Sequence, residues 1–352
     1  EAIIAAGLGC SRGCEFCCTS HFFDRKHIPL IKTGKEIHEA MKAVNFPGET
    51  FRNIGVIDED FLADKKRINE MIPLNAGEIE KPIFFSCLTS LKSISQYTID
   101  ELLMMGLSGV WVGIESQYAR YAKLKGLDPK AILNELKKVG IIPLTSMIIG
   151  YDWHNEETVE RDFQYLFSLK PAFSQLMIYS PCPRTPLWDK MKSEGRLLDI
   201  PYKNVDGFHA LFSHPHFTSE QLERLLKEFF VREYEEFGPS VCRVFDIQLT
   251  GYQNLNDHPK PLFRARAREY RKLCLEIYPL LNAAIRTAPN RKVKEYLCTV
   301  RERAGDEFKI PLSARAKEAA VPVLLRYTSP MDRIVPRPQP PTQISRYRSN
   351  SQ

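Results

Sequence analysis

The 352-residue sequence has no uninterrupted apolar run long enough to cross a bilayer, so no helical membrane span is expected. It has no secretory start either: no basic residue precedes the apolar stretch Ala2–Leu8, and that stretch is too short. A cytoplasmic location is the default expectation. Neither charge sign dominates. The net charge of +6 permits an anionic partner without requiring one. No internal repeat stands out beyond an alternation of strand-like and helix-like segments. Position 1 is Glu rather than Met, and the chain enters at once the run Ala2-Ile3-Ile4-Ala5-Ala6. A piece of a longer protein is expected to begin this way. The nine cysteines are an odd number without secretory features, which argues against a disulfide framework. Four fall within Cys10–Cys18. The others (Cys87, Cys182, Cys242, Cys274, Cys298) are scattered and form no second close-spaced cluster.

With 43% hydrophobic and 26% charged residues the composition is that of an ordinary globular protein. Strand-like runs lie near Ala2–Gly7, Asn53–Ile57, Ile83–Cys87, Gly109–Ile114, Leu144–Ile149 and Gln175–Tyr179. Helical patterns separate them. Thr98 caps one that Gly106 ends, Pro129 opens another that Gly140 closes, and Asn155-Glu156-Glu157-Thr158 begins a third. Such alternation implies parallel strands joined by right-handed crossovers. It fits either an open doubly wound sheet or a partial barrel. After Leu198 the character changes. Residues 199–217 read as a loop; Thr218 and Gln221 form a capping box opening an amphipathic helix to Phe237, and Pro261–Arg303 is helical in pattern. We expect a core over residues 1–198, a mainly helical extension over 199–328, and a disordered Pro-rich basic tail over 329–352.

The central signal is Cys10-Ser11-Arg12-Gly13-Cys14-Glu15-Phe16-Cys17, a C-x3-C-x2-C spacing directly after a strand. Thiolates suit iron–sulfur clusters, zinc or copper(I). Gly13 allows the tight turn that would fold three sulfurs around one centre. Three cysteines on a [4Fe–4S] cluster leave one iron open, which favours catalysis over electron carriage, where four cysteines are usual. A zinc site, with Cys18 or His21 as fourth ligand, is the competing reading. Zinc sites usually pair two close Cys or His pairs, and here the second pair is missing.

The motif, with Phe16 before its last cysteine, resembles that of the radical S-adenosylmethionine (SAM) superfamily. Further segments agree over about the first 200 positions. Asp58-Glu59-Asp60-Phe61 resembles the acidic segment after the second strand. Gly113-Ile114-Glu115-Ser116 resembles the G-x-E-S segment of the branch containing cobalamin-binding and methylthiotransferase members. Met147-Ile148-Ile149-Gly150 resembles that branch's fifth strand. Tyr179-Ser180-Pro181-Cys182-Pro183-Arg184-Thr185-Pro186 resembles the segment after the sixth, with Arg184 in place of a usual glycine. A G-G-E segment found in other members is replaced by Ile57-Asp58-Glu59.

The resemblance implies an α/β partial (β/α)6 TIM-like barrel with its site at the C-terminal strand ends. It implies a cluster on Cys10, Cys14 and Cys17, with SAM contacted by Phe16, Asp58, Glu115 and Gly150. It further implies an electron donor such as flavodoxin or ferredoxin, cobalamin only through an upstream domain, and an undetermined small-molecule or lipid substrate. The alternatives are a tRNA methylthiotransferase-like enzyme, and a non-catalytic iron–sulfur or zinc protein that binds nucleic acid. Lys260–Arg303 holds 12 Lys and Arg against 4 Glu; we read it as a solvated helical face. His209, His214 and His216 are read as solvated loop residues, and Trp111 as core packing.

Overall fold

The computed structural model describes residues 2–44, 51–119, 121 and 123–316. Its centre is a sheet of six strands: β1 (Ala2–Ala5), β2 (Arg52–Ile57), β3 (Ile83–Leu88), β4 (Leu107–Glu115), β5 (Ile142–Ile149) and β6 (Phe173–Ile178). All neighbours are parallel, and spatial order equals chain order. Side-chain alternation explains why these segments are strands. On β2, Ile54 and Val56 are buried while Asn53 and Ile57 are exposed, the period of two that gives a sheet two unlike faces.

Helices cover one face. They are α1 (Cys18–Phe22) and α2 (Gly34–Ala43) before β2, and α3 (Lys65–Ala76) before β3. Then come α4 (Leu91–Ile94) and α5 (Ile99–Met104), α6 (Pro129–Lys138), α7 (Glu156–Leu169) and, after β6, α8 (Pro186–Ser193). Capping boxes at Thr33/Glu36, Thr98/Glu101 and Asn155/Thr158 fix three of their starts. On the other face, one cavity of about 500 Å3 touches all six strands, from Ile3 to Phe173. The sheet curls about it as a partial (β/α)6 barrel, which resolves the choice left open by the alternation.

Four long helices follow: α9 (Ser219–Phe237), α10 (Ser240–Leu255), α11 (Pro261–Arg286) and α12 (Arg291–Glu307). The capping box of Thr218 and Gln221 opens α9 as its residues suggested. The stretch from Pro261 is two helices rather than one, because Asn290 caps a new start, accepting the Val293 N–H at 3.0 Å. These helices share a continuous apolar cluster with the barrel, running from Ile54 and Phe85 through Phe245 and Phe263 to Phe308. Residues 317–328 and the expected tail 329–352 lie outside the described residues. No helix among the described residues is long and apolar enough to cross a membrane.

The basic segment is only partly a solvated face. Arg266 is 1% exposed and donates to the Leu107 carbonyl and to Tyr270 Oη. Arg303 donates to Asp246 Oδ1 at 2.6 Å.

Candidate functional site

A two-residue pairing of Gly7–Leu8 with Ile28–Pro29 closes the base of the loop that follows β1. The loop's interior is stitched by Ser20, buried in α1. Its hydroxyl donates to the Cys10 carbonyl at 2.6 Å and accepts from the Gly13 N–H at 3.1 Å, while its own N–H points at Cys17 Sγ. Gly13 sits at φ +69°, and a Cβ there would run into the Arg25 guanidinium, so the turn requires glycine. The loop is tied outward by Arg12. Its Nε donates to Asp60 Oδ2 at 2.6 Å, and its Nη2 donates to Ser90 Oγ at 2.6 Å and Ser93 Oγ at 3.0 Å. Asp60 also accepts the Ser90 N–H at 2.9 Å and the Thr89 hydroxyl at 3.0 Å. One cation thus joins the cysteine loop to the ends of β2 and β3.

Cys10, Cys14 and Cys17 are half-buried and line one cavity of about 180 Å3, together with Phe16, Glu59, Asp60, Glu115 and Lys123 among others. Burial pushes all three thiols above their ordinary pKa; at Cys14 the Lys123 ammonium works against this. Three soft donors on one cavity, with cations at its edge, fit a thiolate-bound iron–sulfur cluster with an open position. They fit zinc poorly. Neither candidate fourth ligand lines this cavity: His21 Nε2 lies 3.1 Å from the Cys14 carbonyl, and the exposed Cys18 thiol lies 4.0 Å from the Thr19 hydroxyl. Among the described residues no group of three or more His, Cys, Asp or Glu converges on a single ion.

Across the cavity stands Glu115, at the end of β4. It is 5% exposed, and its backbone is left-handed at φ +65°, next to a register shift against β5. That geometry turns its carboxylate into an ion pair with Lys123. Gly113 makes room: a Cβ there would collide with both partners. Behind Glu115, Asp162 accepts the Gln117 N–H at 2.9 Å and lies 3.0 Å from His154 Nε2. His154 Nδ1 accepts the Gly150 N–H at 3.0 Å, so the proton sits on Nε2 and faces Asp162. This fully buried pair joins the β4 and β5 turns. On the far side, Phe16 packs edge-on against Tyr121 and Tyr179, and the Tyr179 hydroxyl donates to Glu15 Oε1 at 2.7 Å.

Two residues expected to contact SAM lie outside this cavity. Asp58 does not line the cysteine cavity. It is 1% exposed and neutralised by Arg67 Nη2 at 2.8 Å, with His27 at 3.1 Å; Glu59 and Asp60 are the acids of that segment that reach the cavity. Gly150 does not line it either, since its N–H is spent on His154 and its α-carbon faces Leu222. Trp111 is not core: it is half-buried and lines the cavity. His214 is structural rather than solvated, with Nε2 2.8 Å from the Tyr151 carbonyl. Sequence reasoning missed Ser20, Arg12 and Lys123. Only Arg12 carried a signal, as a lone cation inside the cysteine motif.

A C-x3-C-x2-C loop heading a partial parallel barrel, with a G-x-E-S turn opposite, resembles in motif and topology the radical SAM superfamily. No family model matches it. Among curated proteins it is similar to an uncharacterised methyltransferase of Pyrococcus horikoshii, 24% identical over 66% of this chain and 51% of that protein. It is also similar to the hopanoid C-2 methylase of Rhodopseudomonas palustris, 25% identical over 73% of this chain and 49% of that one. The chain therefore spans about half the length of these relatives. Among solved structures it is similar to the radical SAM methyltransferase TsrM of Kitasatospora setae, with cobalamin and a [4Fe–4S] cluster bound (TM-score 0.48, 13% identity, 77% of this chain and 60% of that one). A second is the coproporphyrinogen III oxidase HemN of Escherichia coli (TM-score 0.43, 14% identity, 67% and 52%).

Proposed function

We propose that this chain is the catalytic core of a radical SAM enzyme, with residues 1–198 carrying the chemistry and the helices beyond them supporting it. The observation that carries this reading is a single cavity shared by Cys10, Cys14, Cys17, Glu115 and Lys123. The three thiolates would hold a [4Fe–4S] cluster by three of its irons. A cluster held there would supply the single electron for reductive cleavage of SAM and so the radical chemistry that acts on a substrate C–H bond. The protein's own part is placement. Glu115 and Lys123, already paired and nearly dry, present an acceptor and a cation to the oppositely charged amine and carboxylate of the methionyl group. Phe16, backed edge-on by Tyr121, and Trp111 wall the cavity with aromatic surface and limit water. Arg12 holds the loop that carries the ligands.

Matches to two proteins named as methyltransferase and methylase favour methyl transfer as the outcome. Cobalamin, if used, would come from a part of the protein outside this sequence. Nine unpaired thiols suit a reducing, cytoplasmic setting, where a flavodoxin or ferredoxin supplies the electron. No observation favours the methylthiotransferase or non-catalytic nucleic-acid readings. Anaerobic reconstitution tests the proposal. It should yield about four irons and four sulfides per chain with broad absorbance near ~400 nm that SAM perturbs. Stoichiometric zinc without iron would sink it.

A further inference from the structure

The cavity on the open face of the sheet adjoins the cysteine cavity. Leu88 and Trp111 line both. Its volume of about 500 Å3 falls in the ~300–1,000 Å3 range of small-molecule sites. Among the described residues no charged side chain lines it; apart from backbone, its polar groups are Asn53, Ser86, Ser108, the Cys87 thiol and the Trp111 indole N–H. The strand residues that would fill a closed barrel are here small or exposed. Gly55 and Gly109 leave gaps in the wall, while Ile3 is 65% exposed, Ile57 45% and Phe173 38%. Large aliphatic side chains left this open on one wall of a concave face cost stability unless an apolar body covers them.

We propose that this face is the substrate site and takes a largely apolar, hydrocarbon-rich molecule, laid along the sheet with its reacting carbon at the Leu88–Trp111 junction. The occupant's chemistry follows from the lining. A charged or heavily hydroxylated substrate would lose its water here and find almost nothing to replace it, whereas an aliphatic or polycyclic hydrocarbon would lose only unfavourable hydration. The junction then sets where chemistry occurs: the stretch touching Leu88 and Trp111 faces the cavity of Cys10, Cys14, Cys17 and Glu115. This inference rests on the radical SAM reading above.

The wall offers a selective test. A Cβ on Gly55 would meet only ordinary contacts, the nearest being Ile3 Cγ1 at 3.4 Å, and its φ is not left-handed. Gly55→Leu therefore fills the cavity without straining β2. Ile3→Lys places a charge at a largely exposed position and is a second variant that leaves the fold intact. Naphthalene serves as the apolar probe and naphthalene-2,6-disulfonate as its charged counterpart. Both are measured by equilibrium dialysis against cluster-loaded full-length protein, with iron content and the SAM-induced spectral change followed in parallel. Naphthalene should bind saturably and at least tenfold more tightly than the disulfonate. Gly55→Leu should weaken naphthalene at least tenfold and Ile3→Lys several-fold, with iron content and SAM response unchanged. No saturable naphthalene uptake, tighter disulfonate binding, or unchanged affinity in both variants overturns the inference; a persisting SAM response then leaves the radical SAM reading standing. Saturable naphthalene binding by a cluster-loaded protein that neither responds to SAM nor cleaves it removes that reading, and the substrate assignment with it.

Discussion

The loop after β1 and the helices after Leu198 are built in opposite ways. The loop is held largely by polar atoms, Ser20 inside it and Arg12 and Asp60 around it, with Phe16 as its main apolar anchor. The helices are held by apolar burial, with Phe245, Phe263, Leu281 and Leu297 at 1% exposure or less. Their buried charges, Arg266 and the Arg243–Glu233 pair at 2.8 Å, serve the packing itself. Directional hydrogen bonds fix positions finely but add modestly to stability, while apolar burial adds stability with little direction. Chemistry and fold are thereby assigned to different interactions, and substitutions in the two regions should separate them.

The largest expected effect is on the loop. Changing Cys10, Cys14 or Cys17 to Ala should abolish the iron–sulfur absorbance while leaving the thermal unfolding of the apo-protein nearly unchanged; Cys18→Ala should retain the cluster. A melting transition that collapses with any of the three would break the comparison. Next is Phe263→Ala in α11. Removing this side chain from the shared cluster should cost about 3–5 kcal/mol in denaturant unfolding, with SAM affinity intact in the molecules that remain folded. Third is Glu115→Gln. Losing one charge-assisted contact of about 1.5–3 kcal/mol should weaken SAM binding roughly ten- to a hundredfold at full iron content; unchanged affinity would remove Glu115 from the site. Arg12→Ala should leave the initial iron content near normal yet speed its loss to a chelator several-fold, because the loop loses its tie to β2 and β3. The smallest effect concerns RNA. With Arg266 and Arg303 used internally, binding to the C-terminal helices should be weak and strongly salt-dependent. Tight binding of one tRNA at physiological salt would reverse the assignment of that region.

The contrast also explains what the sequence made legible. Parallel strands and capped helices rest on local period and capping chemistry, so the six strands were found to within a few residues and the helix starts at Thr98, Asn155 and Thr218 were visible. That Cys10, Cys14 and Cys17 belong together was legible because three thiols at that spacing are rare by accident, and the structure brings them to one cavity. Lys123 was not. It reaches Glu115 only because Gly113 leaves a gap and the strand end turns left-handed, and a lysine in an unpatterned stretch gives no hint of either. Asp58 is the converse case. It lies in the right segment, but Arg67, nine positions on, takes its charge in a helix the pattern did not reveal. Gly150 was expected to meet a ligand, and its N–H meets His154 instead. Partners only four to nine positions away, outside any recognisable pattern, decide which member of a motif faces the cavity.

The most direct test of the central claim is SAM cleavage by reduced, cluster-loaded and demonstrably folded protein. With dithionite and no substrate, the account predicts slow formation of 5′-deoxyadenosine and methionine in equal amounts, abolished in Cys14→Ala and diminished in Glu115→Gln. A fully loaded cluster whose spectrum never responds to SAM, and from which no 5′-deoxyadenosine forms, would contradict it and leave an electron carrier in its place.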